Sequence, residues 1–104
     1  MYSSLHNHTY YSLLDGYGSP KEMLDRAKEI GVKAFAITEH GNVYSHIYFD
    51  LIKKDYPEIK MIYGCELYEC EDIEIKDKDN KYFHLICLIR NEQGRKDLNK
   101  VITK

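Results

Sequence analysis

Four of the five histidines in this 104-residue chain, His6, His8, His40 and His84, stand where strands are expected to begin or end. His6 and His8 are one residue apart. On an extended segment alternate side chains share a face, so both imidazoles point the same way. Two imidazoles so placed can grip one divalent metal, or one each of a close pair. Two exposed histidines near a chain terminus would read the same. Asp15 follows just before Gly16, where the chain can turn back over the strand end, although Asp-Gly is also an ordinary turn. Thr38-Glu39-His40-Gly41-Asn42 closes an apolar run with an acid and an imidazole. Such a run also suits a polar loop, but the carboxyl ends of strands are where α/β folds build their sites. Glu66, in Gly64-Cys65-Glu66, ends another apolar run. A carboxylate buried there is costly unless paired, and either a metal or one of the lysines would pair it. Cys65 alternates to the opposite face and reads as core. His84 opens the run Phe83 to Ile89, as a ligand or as a hydrogen-bonded core histidine.

Positioning these groups takes a particular order of elements. Tyr2 to His8 is expected as a short strand. Ser19-Pro20-Lys21-Glu22 is a helix start: Ser19 caps, Pro20 suits the first helical position, and Glu22 can reach back to the cap. Met23, Leu24, Ala27 and Ile30 repeat at helical spacing, and Gly31 can end the helix in a left-handed conformation. Ala34 to Thr38 reads as a buried strand, Ser45 to Asp55 as a second helix, and Met61 to Leu67 as a third strand. The charged stretch Glu71 to Lys81 suits an exposed loop or hairpin. Phe83 to Ile89 is the fourth strand. Asn91 to Thr103 is a helix with Leu98, Val101 and Ile102 on its apolar face.

Strands alternating with helices predict an α/β fold, mainly parallel, with helices outside; four strands make about half of a (β/α) barrel. If every strand is parallel, His84 lies at the wrong end of its strand. An antiparallel course or a shifted strand boundary would bring it to the others. The chain stops in a helix with no closing element, which predicts a fragment or an edge covered by another chain, with a homodimer as one possibility.

Composition narrows the function. Hydrophobic residues make up 43% and charged residues 31%, ordinary for one small globular domain. A net charge of -2 gives no bulk electrostatic reason for DNA binding, so any such role needs a local patch or a metal. No apolar stretch approaches a membrane span, and the two leading histidines interrupt any signal peptide. Three cysteines without a CxxC fit reduced thiols, hence a cytoplasmic setting.

The run Ser4-Leu5-His6-Asn7-His8-Thr9-Tyr10-Tyr11-Ser12-Leu13-Leu14-Asp15-Gly16 resembles the opening motif of PHP (polymerase and histidinol phosphatase) domains, in the form that opens bacterial DNA polymerase III alpha subunits. Ala36 to Asn42 resembles the second motif, which usually carries Asp where this chain has Glu39. Gly64 to Tyr68 resembles the third and Tyr82 to Ile86 the fourth. The likeness runs in order over essentially residues 1–104. It implies the N-terminal portion of a PHP-type partial barrel with metal contacts at His6, His8, Asp15, His40, Glu66 and His84. It further implies two or three ions, commonly zinc, manganese or iron, and hydrolysis of phosphate esters. In some polymerases the domain is a 3′-5′ proofreading exonuclease, which would bring DNA and other replisome subunits as partners.

Further ligands of the family, including an Asp-x-His, are expected beyond Lys104, and no polymerase domains are present. The 104 residues by themselves are therefore expected to be weak or inactive in hydrolysis and unable to polymerise DNA. Two alternatives stay open: a stand-alone phosphatase of the histidinol phosphatase kind, and a metal-binding module kept for structure alone. The Ser-Leu-Leu-Asp-Gly and Glu-His-Gly-Asn runs favour the polymerase form.

Overall fold

The first helix begins where the sequence places it. In a computed structural model, which describes residues 2–76 and 81–103, Ser19 Oγ accepts from the Glu22 amide at 3.2 Å. The Ser19 amide donates to Glu22 Oε2 at 2.8 Å. This reciprocal pair satisfies two amides that the first helical turn leaves without partners. Helix α1 spans Pro20–Ile30 and ends at Gly31, whose φ of 79° is the left-handed conformation that glycine adopts without penalty.

The remaining elements are strands β1 (Tyr2–Ser4), β2 (Val32–His40), β3 (Lys60–Cys70) and β4 (Tyr82–Leu88), with helices α2 (His46–Ile52) and α3 (Glu92–Ile102). A short 3-10 turn, Lys53–Asp55, completes the second helical region that the sequence outlines as one piece. The four strands form one sheet in the order β1-β2-β3-β4. Leu24 and Ala27 of α1 and Phe49 of α2 pack on Phe35 and Ile37 of β2, joined by Val32, Tyr56 and Ile59. Leu24, Ile37 and Phe49 are fully buried, each worth roughly 1.5–3 kcal/mol against exposure. This core covers one face of β2 and fixes where the carboxyl ends of β2 and β3 stand.

Two features depart from a simple alternation. Strand β1 ends at Ser4, earlier than the predicted His8. The chain stays beside β2 through Asn7 instead: its amide donates to Thr38 Oγ1 at 3.0 Å, and the Thr38 amide donates to the Asn7 carbonyl at 2.9 Å. The Asn7 side-chain amide also donates to the carbonyls of Ser4 and Ala36. The second departure is direction. β1, β2 and β3 run parallel, but β4 runs antiparallel to β3, with Tyr68 opposite His84 and Glu66 opposite Ile86. β4 therefore returns along β3 as a hairpin arm, and its first residues lie at the carboxyl end of β3. Positions 77–80 of the charged connection lie outside the described residues.

Candidate metal centre

Strand β2 ends at His40, which stands in register with Glu66 of β3, and β3 runs on beside β4 to Cys70. Alternation turns the His40 and Glu66 side chains to one face of the sheet. The segment after β1 crosses that edge and delivers His6 and His8, whose rings meet edge to face at 4.9 Å between centroids. The antiparallel course of β4 resolves the position of His84: its start lies beside the ends of the parallel strands.

Glu66 is the floor of the site, with only 1% of its side chain exposed. Its Oε2 lies 2.7 Å from His6 Nε2, 2.9 Å from His8 Nε2 and 3.6 Å from His40 Nδ1. Its Oε1 lies 2.5 Å from His84 Nδ1. Burial pushes the Glu66 carboxyl up, but the hydrogen bond with His6 and the fields of His40, His6 and His8 outweigh it, so the net shift is downward. Its cover is a thin layer of imidazoles rather than deep core, which is why burial loses. His8 is held below the ordinary imidazole range, chiefly by burial and then by neighbouring His40.

A second group sits beside the first. His8 and His40 stack at 4.0 Å between centroids. Asp15 Oδ2 lies 2.6 Å from His40 Nε2 and 4.0 Å from His8 Nε2. That hydrogen bond with His40 holds the Asp15 carboxyl below its usual range. Asp15 arrives on a tight loop. The amides of Asp15 and Gly16 both donate to the Ser12 carbonyl, at 3.1 and 2.8 Å. Leu14 takes a left-handed φ of 66° to make the turn, which costs a residue with a Cβ roughly 1–2 kcal/mol. At Gly16 a Cβ would stand 1.5 Å from the Thr9 carbonyl oxygen, so only glycine closes the loop.

The structure thus brings His6, His8, Asp15, His40, Glu66 and His84 into one continuous cluster. Two sets of three place one ligand atom each within 4.8 Å of one another: His6, His8 and Glu66, and His8, Asp15 and His40. His84 belongs to neither set and reaches the site through Glu66. The donor set suits a divalent cation. One buried carboxylate faces four imidazoles, and among the described residues no lysine or arginine pairs with it. His8 Nδ1 is buried without a hydrogen-bond partner, a sign of a polar pocket incomplete by itself. His6, His84 and Asp15 are about half exposed, so the rim is open to a ligand.

Several contributors escape a reading of the sequence. Tyr68 Oη lies 3.3 Å from His40 Nδ1 and its ring stacks parallel to the imidazole. Its place two residues after Glu66, on the same strand face, is the signal that marks it. Glu39, which the sequence offers only as a variant beside His40, is fully buried and bound to the Thr9–Ser12 turn. Cys65 is buried as expected, and burial pushes its thiol up to about 11, which keeps it protonated near neutrality.

Comparison with known proteins sets this cluster in a family. Residues 4–104 match the family model described as PHP domain. The chain is 36% identical over 104 residues to the DNA polymerase III subunit alpha of Treponema pallidum, covering 96% of this chain and 9% of the relative. It is 38% identical over 99 residues to the same subunit of Helicobacter pylori, covering 93% of this chain and 8% of that protein. The chain thus spans about a tenth of the length of these relatives. Among solved structures, a protein assigned as a metal-dependent phosphoesterase from Bifidobacterium adolescentis superposes with a TM-score of 0.65 at 19% identity. That match covers 93% of this chain and 32% of the other. An amidohydrolase from Chromobacterium violaceum gives the same TM-score at 21% identity, over 94% and 32% of the two chains. These likenesses show a shared fold, a mostly parallel partial barrel with helices outside. Four motifs in order, a sheet that gathers them at one edge, and a family match over almost every residue have one meaning: this chain belongs to the PHP domain family.

Proposed function

We propose that this chain forms a metal-dependent phosphoesterase site, as part of the PHP domain of a replicative DNA polymerase III alpha subunit. The observation that carries the proposal is Glu66, a carboxylate 1% exposed with three imidazole nitrogens within 2.9 Å and a fourth at 3.6 Å. Among the described residues no lysine or arginine pairs with Glu66, which leaves a divalent cation to neutralise it. His8 would serve one ion, with His6 and Glu66 on one side of it or Asp15 and His40 on the other, so that one ion would be held by His6, His8 and Glu66 and a neighbouring one by Asp15 and His40, with His84 closing the site from the hairpin. Zinc, manganese or iron suits imidazole and carboxylate donors, and two or three ions would complete the domain.

A bound divalent ion supplies Lewis-acid polarisation of a phosphoryl oxygen and makes water a better nucleophile near neutral pH. The chain's own residues prepare the place for it. Burial lowers the His8 pKa, which favours the neutral imidazole that a metal requires. Asp15 and Tyr68 fix the His40 ring from two sides. The half-exposed rim of His6, Asp15 and His84 leaves room for an extended substrate. In the longer protein the substrate would be the 3′ end of DNA, the reaction phosphodiester hydrolysis, the partners other replisome subunits and the setting the cytoplasm. Because β1 and β4 are both sheet edges, the 104 residues would also pair as a homodimer at high concentration.

Elemental analysis of protein purified without chelator is the first test, and bound zinc, manganese or iron is expected. Hydrolysis of p-nitrophenyl phosphate and single-stranded DNA with added manganese is the second. The 104 residues should turn over weakly, a chain extended to a full barrel strongly, and His8→Ala should abolish activity in the longer chain. Activity indifferent to His8 would defeat the proposal. Metal bound without hydrolysis in the longer chain would instead establish a structural module.

A further inference from the structure

We infer that Glu39 is a positioning residue for the His8–Asp15–His40 group, an inference that rests on the metal-site reading above. Glu39 is fully buried, and among the described residues no ion pair reaches it. The hydrogen bonds to its carboxylate all come from one turn. Oε1 accepts from the Thr9 amide at 2.5 Å and from Ser12 Oγ at 3.3 Å, while Oε2 accepts from Thr9 Oγ1 at 2.6 Å. Only a carboxylate meets three donors with acceptors alone.

The turn it binds carries ligands at both ends. Thr9 directly follows His8. Ser12 holds the amides of Asp15 and Gly16 through its carbonyl, and its hydroxyl accepts from the His40 amide at 3.0 Å. Glu39, Ser12, His40 and Asp15 are therefore one connected unit. Alternation puts Glu39 on the opposite face of β2 from His40. One strand end thus anchors the loop with one residue and offers a ligand with the next. Glu39 itself belongs to neither set of candidate ligands.

A buried acid without a permanent cation is a poor device for stability, because desolvation costs what the hydrogen bonds return. It is a good device for geometry, since two short bonds from Thr9 and a longer one from Ser12 fix a loop that also holds Leu14 in a left-handed conformation. The two metal groups should depend on it unequally. His6 and Glu66 are placed by the segment after β1 and by β3, and His8 is secured on one side by the bonds between Asn7 and Thr38. Asp15 is held by the Ser12 carbonyl and by His40, both joined to Glu39 through the Ser12 side chain or strand β2, while the Tyr10 amide bond to the Gly18 carbonyl closes only the base of its loop. Loss of Glu39 should weaken the ion at Asp15 and spare the one at Glu66.

Calorimetric titration of the metal-free chain with Mn2+ at pH 8 tests this. The wild type should bind two ions. Glu39→Gln should weaken one of them by about 10- to 100-fold and leave the other within about threefold. Asp15→Ala should have the same selective effect, and the double variant should be no worse than Asp15→Ala alone. Glu39→Asp should recover part of the loss. If Glu39→Gln is unfolded by circular dichroism, Ser12→Ala breaks the same chain of bonds and should show the same selective loss. Two unchanged ions in Glu39→Gln, or in Ser12→Ala, alongside one lost in Asp15→Ala would overturn the role of Glu39 and leave the metal reading intact. No second ion in the wild type would overturn both.

Discussion

Replacing Glu66 by glutamine separates a metal centre from a stability device. The substitution keeps shape and removes charge. In the metal-free chain the cost should be small. Glutamine retains one acceptor oxygen and gains an NH2 donor, and an imidazole can present either a donor or an acceptor nitrogen to it. At pH 8 the metal-free variant should therefore lie within about 1 kcal/mol of wild type. The metal-bound chain should behave differently. A divalent ion at 100 times its Kd stabilises the folded state by about 2.7 kcal/mol, roughly 10 °C or more in Tm for a chain of this size. Glu66 is the only carboxylate in the first set of three ligands and also contacts His84. Even residues outside the ligand set change affinity by about 10- to 100-fold, so its loss should weaken the ion by at least about 100-fold. At the same metal concentration the stabilisation then falls to about 0.4 kcal/mol, and the Tm shift to a few degrees. Calorimetric melts with EDTA and with Mn2+ read both quantities. A full metal-dependent shift in Glu66→Gln would refute the role of Glu66 as a ligand. A large loss of metal-free stability would show that the carboxylate serves the fold.

Acid should unfold the metal-free chain in two stages. His8 and His46 are both held below the ordinary value of 6.5, chiefly by burial, so the unfolded chain takes up protons first. Their contribution is complete above about pH 6.5 and is lost as pH falls through their folded values; Glu66 follows from its ordinary 4.5 downward and Asp15 from 3.8. A Tm that stays flat from pH 7 to 5 would contradict the burial of the two histidines. Gly16→Ala should cost about 2 kcal/mol or more in urea denaturation, because its Cβ would meet the Thr9 carbonyl oxygen at 1.5 Å, and should also weaken the ion at Asp15. An unperturbed Gly16→Ala would mean that the loop is not packed against Thr9 as described.

The sequence by itself determined whatever depends on neighbours a few residues away. Ser19, Pro20, Glu22 and Gly31 set both ends of α1, since capping and left-handed closure are local. The spacing of His6 and His8, and the acid or histidine closing the β2 and β3 runs, were legible for the same reason: alternation needs only the strand. The family resemblance then named all six candidate ligands, which the fold gathers at one edge. Strand direction was another matter. Whether β4 returns beside β3 or crosses over is decided by pairing between distant residues, and His84 reads as misplaced until β4 is seen to run antiparallel. The end of β1 was likewise set from outside, by Asn7 bonding Thr38 and Ala36 in place of a continued ladder. Glu39 shows the gap most plainly. In sequence it is a polar residue beside a histidine, equally suited to a lysine, to solvent or to a metal. Its burial and its three bonds to Thr9 and Ser12 exist only once residues some thirty positions apart are folded together, because desolvation and hydrogen-bond geometry are properties of the assembled site.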